Sequence, residues 1–347
     1  MPEHRLCSGF TDKYLIPHHL PYALPAIRLC IQGGGADGFR HLPGRWNQFL
    51  FLWLLAGVPH LFRYVFILGF PVCPGCYFII YSTKKEINMN EKVILISIDG
   101  MRPDGAVGCG HPFVQELMEK STYTLQGGSV LPPVTLPCHT SMFYGVPPER
   151  HGILTNTYTP PVRPVKGIAE QLAASGKVCA AFHNWEPIRH IWQSETMKYT
   201  GYINAYQEDN SDSLLTGMLL SLISRKQPDF LFLHLVETDE KGGHDHGWMS
   251  PEYLGQLGNA LSCAQRIYQA AGNDYHIIIT ADHGGHDRSH GDNCPEDMTI
   301  PMFFCGRYFQ HGRKLEHACL LDLAPTIAWL TGVAAVREWE GHIIPHL

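Results

Sequence analysis

Residues 278–292, IITADHGGHDRSHGD, set three histidines and three aspartates directly behind a short apolar run. Imidazole nitrogens and carboxylate oxygens are the donors that hold divalent cations. Two other apolar runs end in the same way. VILISI (93–98) delivers Asp99, and LFLHLV (231–236) delivers Glu237, Asp239, Glu240 and His244. A lone histidine at a strand end is usually structural, but three strand ends converging on such donors imply a metal centre. A donor set without thiolate suits Zn2+, with Mn2+ or Fe as substitutes. There are more donors than one ion needs, so two ions are expected. Ions about 3.5–4 Å apart clamp the attacking and leaving oxygens of a phosphoryl group.

A nucleophile stands in LPPVTLPCHTSMFYGVPPERHG (131–152). Thr135 follows two prolines, Pro137 suits a first helical turn, and Gly145 would stop the helix after Tyr144. Thr135 is then either a helix cap or a hydroxyl at a helix N-terminus, where free N–H groups and the dipole favour an oxyanion. A threonine hydroxyl needs such help, or a metal, to attack anything.

The elements that must position these groups alternate in type. Strands are expected at Val93–Ile98, Lys177–Phe182, Asp229–Val236, Tyr275–Thr280 and Met302–Cys305. Helices are expected at Phe113–Lys120, Gly167–Ser175, Leu214–Ser224, Tyr253–Ala271 and Leu320–Leu330. Continuous apolar strands of this kind belong to a mainly parallel sheet sandwiched between helices, an α/β fold with its ligands beyond the carboxyl ends of the strands.

Charge divides the 347 residues unevenly. Residues 1–88 carry eight Lys/Arg and four Asp/Glu, whereas 89–347 carry eighteen and twenty-eight. An acidic domain offers a nucleic-acid polymer nothing, and it needs cations to act on an anionic small molecule. The eleven cysteines lack framework spacing. Cys179 and Cys305 read as buried free thiols, and the one CxxC, Cys73–Cys76, has no second half to complete a zinc site. A reducing, cytoplasmic setting fits best.

Residues 1–88 show no clear period and read as an N-terminal extension, with the catalytic domain beginning at Met89. Their one membrane-like stretch, 49–81, is broken by Pro59, His60, Arg63, Pro71 and Pro74. A single span over Tyr64–Tyr81 is the alternative, and membrane association could come only from there. The stretch does not have the form of a signal peptide.

From residue 89 onward the motifs resemble the alkaline phosphatase superfamily, most closely its type I phosphodiesterase/nucleotide pyrophosphatase branch. The resemblance rests on ISIDG (96–100), PPVTLPCHTSMFYGVPPERHGILTN (132–156), TDEKGGHDHGWMSPEY (238–253), TADHGGHDRSHGDNCPEDMTIP (280–301) and the ending APTIAWLTGV. It implies an alkaline phosphatase-like core and two zinc ions. Asp99, Asp282 and His283 would hold one ion together with the nucleophile Thr135. Asp239, His244 and His290 would hold the other. Asn156 matches an asparagine that stabilises the phosphate oxygens. His286 and Asp287 would orient the ligands from behind, and His139 and His246 would be structural.

One departure stands out. Asp239 and His244 lie five positions apart, where the family's Asp-x-x-Gly-His has four. Either the loop absorbs an extra residue at Gly242–Gly243, or Glu240 replaces Asp239 as the carboxylate.

The implied reaction is hydrolysis of phosphodiester or nucleotide-type pyrophosphate bonds through a phosphothreonine. A phosphomonoesterase or phosphonate hydrolase on the same site, or a non-catalytic metal-binding relative, are the rivals. A sulfatase is excluded by the Thr-Leu-Pro-Cys-His context of the nucleophile. The substrate would be a small phosphate ester, possibly of a nucleotide. Residues 183–206, with Trp185, Glu186 and Arg189, could line its pocket, Trp185 more as packing than as a stacking surface.

Overall fold

The computed structural model describes residues 65–68, 78–81 and 89–344, and the chain divides into two units, 1–87 and 88–347. In the first unit, β1 (Val65–Leu68) and β2 (Phe78–Tyr81) pair antiparallel. Both lie inside Tyr64–Tyr81, so the alternative of one helical span there is replaced by a ribbon of two strands. The rest of 49–81, with its CxxC, lies outside the described residues. Among the described residues no helix is long and apolar enough to cross a membrane.

The second unit is built on β3 (Lys92–Ile98), β4 (Thr122–Gly128), β5 (Cys179–His183), β6 (Tyr199–Tyr202), β7 (Phe230–Leu235), β8 (Tyr275–Thr280), β9 (Thr299–Cys305) and β10 (Arg313–Lys314). They form one eight-stranded sheet in the order β10-β4-β9-β8-β3-β7-β5-β6. All pairings are parallel except those of β9 with β4 and β8. The fold is therefore α/β with a mostly parallel sheet, and β7, β3 and β8, the three strands expected to end in donors, sit side by side at the centre.

Position in the sheet explains the sequence. All six residues of β7 and of β8 are buried, as are Val93–Ile98 of β3, because helices cover both faces. The helices are α1 (Pro103–Gly108), α2 (Pro112–Lys120), α3 (Thr135–Tyr144), α4 (Pro148–His151), α5 (Ile168–Ala174), α6 (Ser211–Lys226), α7 (Pro251–Ala271), α8 (Pro295–Met298) and α9 (Leu323–Thr331). The expected helix over 320–330 is a 3-10 turn, Leu320–Asp322, running into α9. Three strands were not expected: β4, which carries two glycines, and the short edge strands β6 and β10. Their patterns are too brief or too polar to stand out from loops.

A polar row crosses this apolar centre. Ser97 of β3 is in register with His234 of β7 on one side and Thr280 of β8 on the other. Alternate residues of a strand share a face, so Ser97 lies one step beneath Asp99, and Thr280 one step beneath Asp282. Helix α3 lies on this side, with the His139 ring Nε2 against Ser97 Oγ at 2.9 Å.

Candidate metal centre and nucleophile

The strand ends and the loops that follow them bring six of the expected donors into one cluster, buried except at partly exposed His244 and His290. Asp99, Asp282 and His283 form its first group, with His283 Nε2 3.4 Å from Asp99 Oδ1 and 3.2 Å from Asp282 Oδ2. Asp239, His283 and His290 form the second. His244 joins it, its Nε2 3.4 Å from Asp239 Oδ2, and its ring centroid lies 5.2 Å from that of His290.

The imidazole tautomers follow from the backbone. His283 Nδ1 faces the Gly284 carbonyl at 2.8 Å, His290 Nδ1 the Pro133 carbonyl at 2.9 Å, and His244 Nδ1 the Arg288 carbonyl at 3.0 Å. A carbonyl oxygen only accepts, so each Nδ1 carries the proton and each Nε2 turns a bare lone pair toward the carboxylates. Asp99 Oδ1, Asp239 Oδ1 and Asp282 Oδ2 are buried with no hydrogen-bond partner. Lone pairs aimed at anionic oxygens repel unless a cation lies between them. Gly100, at φ +67°, completes the cradle, since a Cβ there would sit 2.9 Å from Asp239 Oδ1. The donor set fits divalent metal.

The same crowding shifts the carboxylates. Burial, then Asp282 and Asp239, push Asp99 well above its usual range, and burial with Asp282 and Glu240 does the same to Asp239. Burial works against ionised Asp282 too, but its value lies below the usual one, with the Gly100 N–H donating to it at 3.3 Å. Burial, with His283 beside it, lowers His290 to about 3, which keeps its ring neutral.

The extra residue between Asp239 and His244 is absorbed by a π-helical turn, Thr238–His244. A π-turn closes i→i+5, so residues five apart share a face as residues four apart do in an α-turn. Asp239 therefore faces His244, while the Glu240 carboxylate accepts from the Tyr206 hydroxyl. Of the two alternatives, the loop accommodates the insertion and Glu240 points elsewhere.

Thr135 opens α3 but does not cap it. Val134 is the N-cap residue, and no side chain caps the helix. The Thr135 hydroxyl instead lies 3.2 Å from His283 Nε2, against the first donor group. The Asn156 amide oxygen accepts from Leu136 N–H at 3.0 Å, which leaves its NH2 to donate beside the helix start. His139 donates to the Thr135 carbonyl at 2.8 Å, and the same nitrogen is 3.4 Å from Asp282 Oδ2. It ties the first turn of α3 to a carboxylate of the cluster.

Other expectations change. His286 does not touch a donor. It pairs at 2.7 Å with buried Asp297, whose second oxygen accepts from Gly291 and Asp292 N–H, fastening the loop that carries His290. Asp287 acts through its backbone, accepting from Trp248 N–H with its own φ at +48°. His246 is exposed. Trp185 is buried packing, as expected, whereas Arg189 pairs with Glu186 on the surface.

Sequence reasoning missed Trp248, Tyr253 and His234. Trp248 Nε1–H and the Tyr253 hydroxyl both donate to the Gly100 carbonyl at 2.9 Å, and the Trp248 ring packs on His244 and His290. A tryptophan four residues after a donor histidine was the available signal.

The profile of the type I phosphodiesterase/nucleotide pyrophosphatase family matches residues 93–298. The chain belongs to this family. Rat ectonucleotide pyrophosphatase/phosphodiesterase family member 1 is 27% identical over 182 residues, 47% of this chain and 20% of the relative. Human family member 5 is 22% identical over 275 residues, 72% of this chain and 52% of the relative. The chain thus spans between a fifth and a half of these two phosphodiesterases. Among solved structures, murine ectonucleotide pyrophosphatase/phosphodiesterase 5, as an inactive variant in complex with AMP, superposes with a TM-score of 0.61. It is 16% identical and covers 71% of this chain and 96% of its own. At that identity the likeness shows the fold, that of the alkaline phosphatase superfamily. The family's phosphodiester-hydrolase chemistry is the frame for the site.

Proposed function

We propose that this chain is a two-zinc phosphodiesterase that cleaves phosphodiester or nucleotide-type pyrophosphate bonds through a phosphothreonine on Thr135. The catalytic domain in this reading is 89–347, with 1–88 an extension. The observation that carries the reading is the position of the Thr135 hydroxyl, 3.2 Å from His283 Nε2 and beside three buried carboxylates, each with an oxygen that has no hydrogen-bond partner.

Asp99, Asp282 and His283 would hold one ion and Asp239, His244 and His290 the other. The ions would supply charge neutralisation and would lower the pKa of a hydroxyl or water bound to them. Thr135 Oγ attacks phosphorus as the bond to the leaving oxygen breaks, releasing one alcohol or phosphate. Water then cleaves the phosphothreonine, restoring the hydroxyl and freeing the second product. The Asn156 NH2 and the start of α3 meet the charge on the phosphoryl oxygens. A small nucleotide is the favoured substrate class, in keeping with the AMP bound to the murine relative. The seven described cysteines are all free, in keeping with a reducing, cytoplasmic setting.

The test is hydrolysis of bis-p-nitrophenyl phosphate, p-nitrophenyl thymidine monophosphate and p-nitrophenyl phosphate by the full chain, with acid quenching to trap phosphate on Thr135. The account expects faster diester cleavage and a trapped phosphothreonine. Monoester preference would assign a phosphatase, and turnover without label on Thr135 would remove the covalent step.

A further inference from the structure

His234 stands in an otherwise apolar strand, FLFLHL, and is fully buried. Its Nε2 lies 2.8 Å from Asp99 Oδ2, while its Nδ1 is buried without a hydrogen-bond partner. Of the other buried histidines, His276 likewise leaves Nδ1 unpartnered while its Nε2 faces Glu91 at 3.4 Å, but it lies at the opposite end of its strand from the donor cluster, and others bond differently. His151 uses both nitrogens, on Ser141 Oγ and Ile153 N–H, and His183 bonds the Trp185 carbonyl. A histidine kept only for packing on this strand would be replaced without loss by leucine, since half of its polar capacity goes unused at a cost. The one bond it does make fixes its tautomer, with Nε2–H donating to the carboxylate.

The geometry gives that bond a purpose. Asp99 Oδ2 is held by His234 and its Oδ1 is left bare toward His283. Across the sheet, His139 sits against Asp282, and the two rings meet edge to face at 4.7 Å. The register Ser97↔His234 lets a β7 side chain reach diagonally to a residue two steps further along β3.

We propose that His234 is a positioning residue for the first metal site: it clamps one oxygen of Asp99 so that the other is presented to the ion. This rests on the two-zinc reading above. A group that orients a ligand from behind changes affinity about 10–100-fold when removed.

The experiment compares wild-type full chain with His234→Leu, which fills the space without a donor, and His234→Gln, whose amide can place N–H near the original Nε2. Each metal-free protein is titrated with Co2+ in competition with a chelator, and the visible Co2+ bands are recorded. The proposal expects His234→Leu to lose about 10–100-fold in affinity at one of two sites, with altered bands, and His234→Gln to recover most of it. Wild-type affinities and bands in His234→Leu would overturn it, as would equal losses in both variants. If His234→Leu does not fold, His234→Asn, too short to reach Asp99, replaces it and is expected to bind more weakly than His234→Gln. Equal binding by Asn and Gln would overturn the proposal. Wild-type protein that takes up no Co2+ would defeat the metal-centre reading itself, which is a separate result.

Discussion

Asp239 and His244 face one another across a π-helical turn, Oδ2 to Nε2 at 3.4 Å, although they lie five residues apart. The turn keeps a donor pair together despite an insertion, and it does so against a crowded neighbour. A Cβ on Gly243 would lie 2.6 Å from the Trp248 ring, which itself packs on His244 and His290. Gly243→Ala should therefore displace that ring, destabilise the protein by about 1–3 kcal/mol and weaken one zinc equivalent while the other stays. Zinc titration of the variant checks this, and two unaltered equivalents would contradict it.

Thr135→Ala should lower turnover by at least about 10³-fold. Because Val134 and not Thr135 is the N-cap residue, its stability should change by less than about 1 kcal/mol, and zinc content should not change. Urea unfolding alongside the rate assay separates the two effects. Loss of stability without loss of turnover would return Thr135 to a structural role.

If Asp99 and Asp239 hold zinc as proposed, metal and protons compete there. Both have folded-state pKa values above the usual range. The metal-free protein therefore loses stability as pH rises from the ordinary carboxylate value through the raised one. Metal uptake should release protons, and affinity should climb with pH. Calorimetry in buffers of different ionisation enthalpy counts those protons. Zero release would contradict the raised values.

Asp239→Asn removes one of the crowded charges. Without metal it should melt above wild type; with zinc the order should reverse. Thermal melts with chelator and with zinc test the crossing.

His151 gives a separate acid dependence. Burial lowers it from 6.5 to about 4, and it accepts from Ile153 N–H while bonding Ser141 Oγ. A lowered folded pKa means its contribution is full above 6.5 and lost as pH falls toward about 4. His151→Gln should be less stable at pH 7 by about 1–2 kcal/mol and should flatten the stability slope across that window. An unchanged slope would assign the acid response elsewhere.

Much of this site was legible because β3, β7 and β8 are continuous apolar runs that end abruptly in donors. Buried parallel strands announce themselves in that way, and their adjacency brings Asp99, Asp239 and Asp282 together. What stayed hidden depends on backbone geometry or register. The spacing of Asp239 and His244 looked doubtful because a π-turn leaves no mark in residue types. Thr135 read equally as a cap, since only the backbone angles at Val134 decide. His234 looked like one more strand residue until its register with Ser97 placed it under Asp99. The strands β6 and β10 were missed because short edge segments carry little periodicity, and β4 because its polar, glycine-ended TYTLQGG does not read as a buried strand.

The most direct test of the central claim is stepwise return of zinc to metal-free full chain while hydrolysis of p-nitrophenyl thymidine monophosphate is followed. The account predicts that activity rises to a plateau at two zinc equivalents per chain. A plateau at one equivalent, or full activity with none, would contradict it.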